Sequence, residues 1–141
     1  ENSHVVPAII RKVWEAKLDD KPFVECWGDG TPLREFTYSG DIAKIILFLL
    51  DNYNEPNPIN IGNIKEYSIK EVVEIICKCL DYHGKIYWQS KEPSGQHRKP
   101  SCNNKLLELG WKKEWYTPFD KGIQKTCDWF IETYPNIRGI K

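Results

Sequence analysis

The sequence predicts a mixed α/β domain of several helices and a few short strands. Three observations carry that prediction. Apolar residues recur at helical spacing within residues 6–14, 42–49, 72–80 and 119–131. Phe23–Trp27 and Lys85–Gln89 are instead short and rich in β-branched and aromatic residues, as half-buried strands are. Gly and Pro punctuate the chain between these stretches, but no regular βαβ series with a Gly-rich phosphate turn emerges.

Taken in order, Ser3 can cap a first helix with Pro7 in its opening turn, and Val6, Ile9, Ile10, Val13 and Trp14 form its apolar stripe. That helix should end near Leu18, ahead of Asp19-Asp20-Lys21-Pro22. A strand over Phe23–Trp27, a turn over 28–32 and a second strand over 33–38 follow. Ser39-Gly40-Asp41 opens another helix. Its broad stripe of Ile42, Ile45, Ile46, Phe48 and Leu49 predicts deep burial. Pro56 and Pro58 break it, and Ile59-Asn60-Ile61-Gly62 reads as a buried strand. Ser68 with Glu71 has capping-box spacing before a helix carrying Val72, Val73, Ile75, Ile76 and Leu80. His83-Gly84 turns the chain into the strand at Lys85–Gln89. Residues 90–103 then hold almost no apolar side chain, a long polar loop of the kind that often carries function. A short helix over 103–109 ends at Gly110. The last runs from near Pro118 to about Tyr134, with Phe119, Ile123, Cys127, Phe130 and Ile131 on one side.

With 141 residues, 40% hydrophobic and 28% charged, the chain can build one globular domain with a core. Its formal net charge of +0 points to neither nucleic acid nor an anionic membrane as partner. No apolar run is long enough for a membrane span. Five cysteines, Cys26, Cys77, Cys79, Cys102 and Cys127, match no zinc spacing, and no metal is expected. Cys77 and Cys79 flank one residue of a helix and face different ways. Free thiols in a reducing, cytoplasmic setting suit this pattern.

The densest chemistry lies in Cys26-Trp27-Gly28-Asp29-Gly30-Thr31-Pro32-Leu33-Arg34-Glu35-Phe36. Trp27 offers a flat apolar face and Arg34 a fork of donors suited to phosphate. Spacing alone leaves two readings open: a ligand clamp, or a β-turn with a core Trp and a solvated Arg. Gly28-x-Gly30 lacks a third glycine and a following helix, so it is no dinucleotide fingerprint. His4 precedes a helix N-terminus, where it could move a proton beside an anion, or stand exposed. Lys12 lies two turns later. Arg98 and Lys99 add two cations on the polar loop, so Lys12, Arg34 and Lys99 could converge on a diphosphate. Asp41, Asp51, Glu71 and Glu74 read as helix-end and surface carboxylates. No nucleophile elbow or Walker loop is present.

The ordered segments Asn2-Ser3-His4-Val5-Val6-Pro7-Ala8, Trp27 through Phe36, Asn60-Ile61-Gly62 and Leu109-Gly110-Trp111 resemble the extended short-chain dehydrogenase/reductases over essentially the whole chain. The first two segments are similar to those of the branch acting on GDP-linked deoxyhexoses. The resemblance implies the C-terminal, substrate-binding part of such an enzyme, a single domain over residues 1–141 lacking the Rossmann cofactor domain. It implies an NADP(H)-dependent epimerase/reductase that converts GDP-4-keto-6-deoxy-D-mannose to GDP-L-fucose. A neighbouring nucleotide-sugar epimerase or dehydratase, or a non-catalytic sugar-nucleotide-binding module, is the alternative. His4 matches a catalytic acid that also contacts cofactor. Lys12, Trp27, Arg34, Ser94 and Lys99 match substrate-binding positions. Lys12 stands where the family has arginine, keeping the charge and losing the fork, and Ser94 stands where it has aspartate. An aspartate that commonly follows the polar loop is absent near Cys102-Asn103. The family's catalytic Ser, its Tyr-x-x-x-Lys pair and the cysteine partnering the histidine are not found here. The chain alone is therefore expected to turn nothing over and to bind no NADP(H). The full-length family dimerises through its cofactor domain, which leaves this piece compatible with a monomer.

Overall fold

A computed structural model describes residues 4–91 and 96–137. α1 (Val5–Leu18) leads to β1 (Phe23–Trp27), β2 (Leu33–Glu35) and α2 (Ser39–Asn52). β3 (Glu66–Ser68), α3 (Ile69–Cys79), β4 (Lys85–Gln89), α4 (Asn104–Glu108) and α5 (Phe119–Thr133) follow, with one turn of 3-10 helix at Lys113–Trp115. The expected strands at Phe23–Trp27 and Lys85–Gln89 both form. They pair in parallel from Phe23 with Lys85 to Trp27 with Gln89. β2 pairs antiparallel with β3, setting Arg34 opposite Tyr67 and Glu35 opposite Glu66.

The main core lies between the β1–β4 ribbon and helices α1, α3 and α5. Ile10, Val13, Val72, Val73, Ile76 and Cys127 are almost wholly removed from water there. These are the apolar stripes read from the sequence, so period 3.6 places the helices correctly. α3 begins with the anticipated box: Ser68 Oγ accepts from the Glu71 amide at 3.2 Å and Glu71 Oε2 accepts from the Ser68 amide at 2.7 Å. α1 is capped by backbone alone, with His4 as the residue before its first turn. Ser3 lies outside the described residues.

α2 departs from expectation. Only Asp41 and Ile45 on it are buried, while Leu47 is 64% and Leu50 75% exposed. Its inner edge packs through Ile45, with Phe48 and Leu49, on a second core of Leu106, Trp111 and Tyr116. The stripe was too broad for the surface available to cover it. Asp41, read as a helix-end or surface carboxylate, is 1% exposed. It accepts Thr117's amide at 2.7 Å and hydroxyl at 2.8 Å, tying α2 to the start of α5. Residues 59–62 form no strand, because no described strand lies alongside to complete a ladder. Side chains serve this segment instead: Tyr116 donates its hydroxyl to Gly62 O at 2.6 Å. The strand expected over 33–38 stops at Glu35, where its partner β3 begins. Among the described residues no helix is long and apolar enough to cross a membrane.

Candidate functional site

The loop after β1 owes its shape to two glycines in the left-handed region, Gly28 at φ 76° and Gly30 at φ 77°. Between them Asp29 Oδ1 accepts from Thr31's amide at 3.0 Å and hydroxyl at 2.8 Å, an Asx-type turn. Those donors, the amide first, hold the Asp29 carboxyl below its ordinary value. The loop then covers the start of α3, where Gly30 O accepts from the Lys70 amide at 2.9 Å and Pro32 O from the Ile69 amide at 3.1 Å. Trp27 is thereby left at the rim of β1, 63% exposed. The core-tryptophan alternative is overturned. β1 alternates, and Val24 and Cys26 take the buried side, so Trp27 faces out.

Two of the candidate cations meet neighbours that the sequence had left unspecified. Lys12 sends its ammonium to Glu25 O at 3.2 Å and lies 5.9 Å from the centre of the Trp27 ring. That is the outer limit of a cation–π contact. Helix α1 thus delivers a positive charge to the exposed indole. Arg34 is half-buried on β2, and its Nη1 reaches Leu33 O at 2.6 Å and His97 O at 3.5 Å. It is not the solvated arginine of a plain turn.

The polar loop docks on the same strand. Leu33 donates its amide to His97 O at 2.8 Å, and Leu33 forms a parallel bridge with Arg98. Lys99 is the next residue, exposed. Chain segments more than 60 residues apart in sequence therefore share one edge, where His97 and Arg98 lie against the strand that bears Arg34. Arg98, counted with Lys99 as a free cation, is instead bound to Glu66, with Nη2 to Oε2 at 2.6 Å. That hydrogen bond raises the Arg98 pKa above its ordinary value. Ser94 lies outside the described residues. His4 is exposed at the far end of α1, about 12 Å along the helix axis from Lys12 by helical rise. No side-chain hydrogen bond ties it down among the described residues.

Sequence reasoning missed the carboxylates that organise this edge. Glu66 holds Arg98, and Glu35 accepts Ser101's amide at 2.9 Å and hydroxyl at 2.5 Å. Their partners lie 32 and 66 residues away, so no local pattern could have revealed them. A cleft of about 280 Å³ opens nearer the start of α1, lined by Val6, Thr37, Tyr38, Asn63, Thr117 and Phe119 among others. No cluster of His, Cys, Asp or Glu among the described residues is arranged to hold a metal ion.

This layout of helices and short strands is a partial extended short-chain dehydrogenase fold. It superposes on a GDP-L-fucose synthetase from Naegleria fowleri, solved with NADP bound, at a TM-score of 0.92 and 33% identity, covering 98% of this chain and 43% of that one. Residues 1–62 match the NAD dependent epimerase/dehydratase family. The probable GDP-L-fucose synthase 1 of Oryza sativa subsp. japonica is 39% identical over 94% of this chain and 40% of its own length. The GDP-L-colitose synthase of Yersinia pseudotuberculosis is 38% identical over 96% of this chain and 44% of its own. The chain is thus similar to members of the NAD dependent epimerase/dehydratase family, and spans about two fifths of the length of the curated relatives it matches. The Gly28–Gly30 turn does not fit a dinucleotide. Gly28 and Gly30 lead into a strand, and a Cβ on Gly30 would sit 2.8 Å from Trp88, so this turn is packed rather than open to a pyrophosphate.

Proposed function

We infer that this chain is the sugar-nucleotide-binding part of an NADP(H)-dependent epimerase/reductase acting on a GDP-linked 4-keto-6-deoxyhexose, with GDP-L-fucose as product. One observation carries the reading. The polar loop docks through Leu33 and His97 on the strand that bears Arg34, which supports a reading in which Lys99, two residues beyond His97, joins Arg34 at one edge. Two cations there suit the two phosphates of a nucleoside diphosphate. Trp27, exposed and approached by Lys12, suits a flat base or a sugar face. Ser94 is proposed to stand at the same loop. His4 would give or take a proton beside the keto group, where deprotonation is eased by delocalisation into the carbonyl. NADP(H), held by residues outside this chain, would supply the hydride. The uncovered apolar side of α2, with Leu47 and Leu50, and the unladdered segment 59–62 suit packing against such a further domain. The names of the relatives share GDP and differ in the sugar, so the base stands on more support than the sugar does.

Calorimetric titration of the 141-residue chain with GDP-, UDP- and dTDP-sugars tests this. The expected result is weak binding that favours the GDP-sugar and falls at least about tenfold in Arg34→Ala, the loss of one charge-assisted hydrogen bond. Equal affinity for all three, unmoved by Arg34→Ala, would refute it. Hydride transfer by this chain with no other protein added would contradict its role as a binding part.

A further inference from the structure

The β2–β3 register sets Glu35 directly opposite Glu66. Like charges facing each other across a ladder repel unless each has its own partner. Both find that partner on the same loop. Arg98 places Nε and Nη2 on Glu66 Oε2 at 2.7 and 2.6 Å. Ser101 gives its amide and hydroxyl to Glu35. The Glu66 side chain is only 14% exposed, and its Oε1 is buried without a hydrogen-bond partner. Arg98 is its one counter-charge among the described residues. An exposed ion pair would matter little. Here, removing Arg98 would strand a largely buried carboxylate.

Further anchors lie on either side. His97 O accepts from Leu33, and Asn103 Nδ2 reaches Asn63 O at 3.2 Å and Ser101 Oγ at 3.0 Å. Gly62 leaves the room this needs, since a Cβ there would meet Ser101 Oγ at 3.2 Å. Between the anchored residues 98 and 101 stand Lys99 and Pro100. Proline confines the residue before it to extended backbone. Among the described residues Lys99 is therefore the free cation of a loop that is fixed on both sides.

We propose that Glu66 and Glu35 are positioning residues: they pin the 96–101 loop to the β2–β3 pair, occupy Arg98, and so present Lys99 beside Arg34 to a nucleoside diphosphate. The inference rests on the reading of Arg34 and Lys99 as phosphate ligands. It adds which cation is spent and what sets the loop.

The test uses the 141-residue chain with GDP and GMP as probes. It compares wild type, Glu66→Gln, Arg98→Met, the charge swap Glu66→Arg with Arg98→Glu, and Arg34→Ala. Amide hydrogen exchange at Leu33 and Ser101 reports loop docking directly. Calorimetry reports the preference for GDP over GMP. Glu66→Gln and Arg98→Met should each speed exchange at both amides. Each should cut the GDP preference about tenfold, the size of one charge-assisted bond. The swap should restore most of both, and GMP affinity should stay the same in the Glu66 and Arg98 variants. Tighter GDP binding in Glu66→Gln would overturn the inference, because a freed Arg98 would then be the phosphate ligand. Unchanged exchange and preference in both single variants would overturn it too. A GDP preference lost in Arg34→Ala but untouched in Glu66→Gln would remove this inference alone. No GDP preference in wild type would remove the underlying reading with it.

Discussion

Replacing Asp41 by alanine removes a buried carboxylate that joins α2 to the start of α5. It is 1% exposed and accepts two hydrogen bonds from Thr117, at 2.7 Å from the amide and 2.8 Å from the hydroxyl. Hydrogen bonds to a charged group are each worth about 1.5–3 kcal/mol. The relief of desolvating the carboxylate offsets part of that sum. Lys44, at 3.7 Å and largely exposed, adds little. The net expected loss for Asp41→Ala is about 3 kcal/mol, a large share of a typical domain's stability. Asp41→Asn keeps one acceptor for the Thr117 amide and should lose about half as much, while Thr117→Val removes only the hydroxyl and should lose about 1 kcal/mol. Urea unfolding followed by tryptophan fluorescence reads all three as shifts in midpoint at constant slope. A loss below about 1 kcal/mol for Asp41→Ala would refute the assignment of this carboxylate as the α2–α5 latch. So would an Asp41→Asn variant more stable than wild type.

Gly30→Ala should destabilise by about 2 kcal/mol or more, since it combines a left-handed φ with a Cβ at 2.8 Å from the Trp88 ring; a thermal melt within a degree of wild type would contradict that. Burial pushes the Cys127 thiol up to about 12 and the Cys77 thiol up to about 11, whereas Cys102 is exposed. A thiol reagent at pH 8 should therefore modify Cys102 first and leave Cys127 for last, and peptide mapping that finds Cys127 among the early products would overturn the assignment. Ser68's hydroxyl, then its amide, lowers the Glu71 carboxyl below its ordinary 4.5. A carboxyl depressed in the folded state adds stability above the unfolded value and loses it as pH falls through the folded one. Below about pH 4.5 the acid limb should therefore be shallower in Glu71→Gln than in wild type, and superimposable limbs would refute the box as a source of acid sensitivity.

Much of the fold was legible because its signals are local. Period 3.6 located α1, α3 and α5, and the Ser68–Glu71 spacing gave the start of α3 to the residue. Cys77 and Cys79, expected to face apart, each pack partly buried against the main core. α2 was misjudged because an apolar stripe records the capacity for burial, and the covering surface must come from elsewhere in space. The segment at 59–62 failed for a related reason: a strand needs a neighbour, and sequence preference supplies none. The candidate site was half legible. Trp27 and Arg34 stood out as residue types, but neither the exposure of the indole nor the anchoring of Arg34 could be read from spacing.

By itself, the sequence determined where the helices run, which faces of α1, α3 and α5 are apolar, where the chain must turn at Gly28 and Gly30, and which family motifs it carries. These follow from side-chain periodicity and backbone sterics within a few residues of one another. Only the tertiary structure decided that β1 and β4 pair in parallel across 62 residues of chain, from Phe23 to Lys85, and that Asp41 is buried. It alone decided that Arg98 belongs to Glu66 and that His97 O lies against Arg34. The physical reason is that such partners are chosen by proximity after folding. A charge or a strand edge has no means of naming, in its own neighbourhood of sequence, the distant group that will satisfy it.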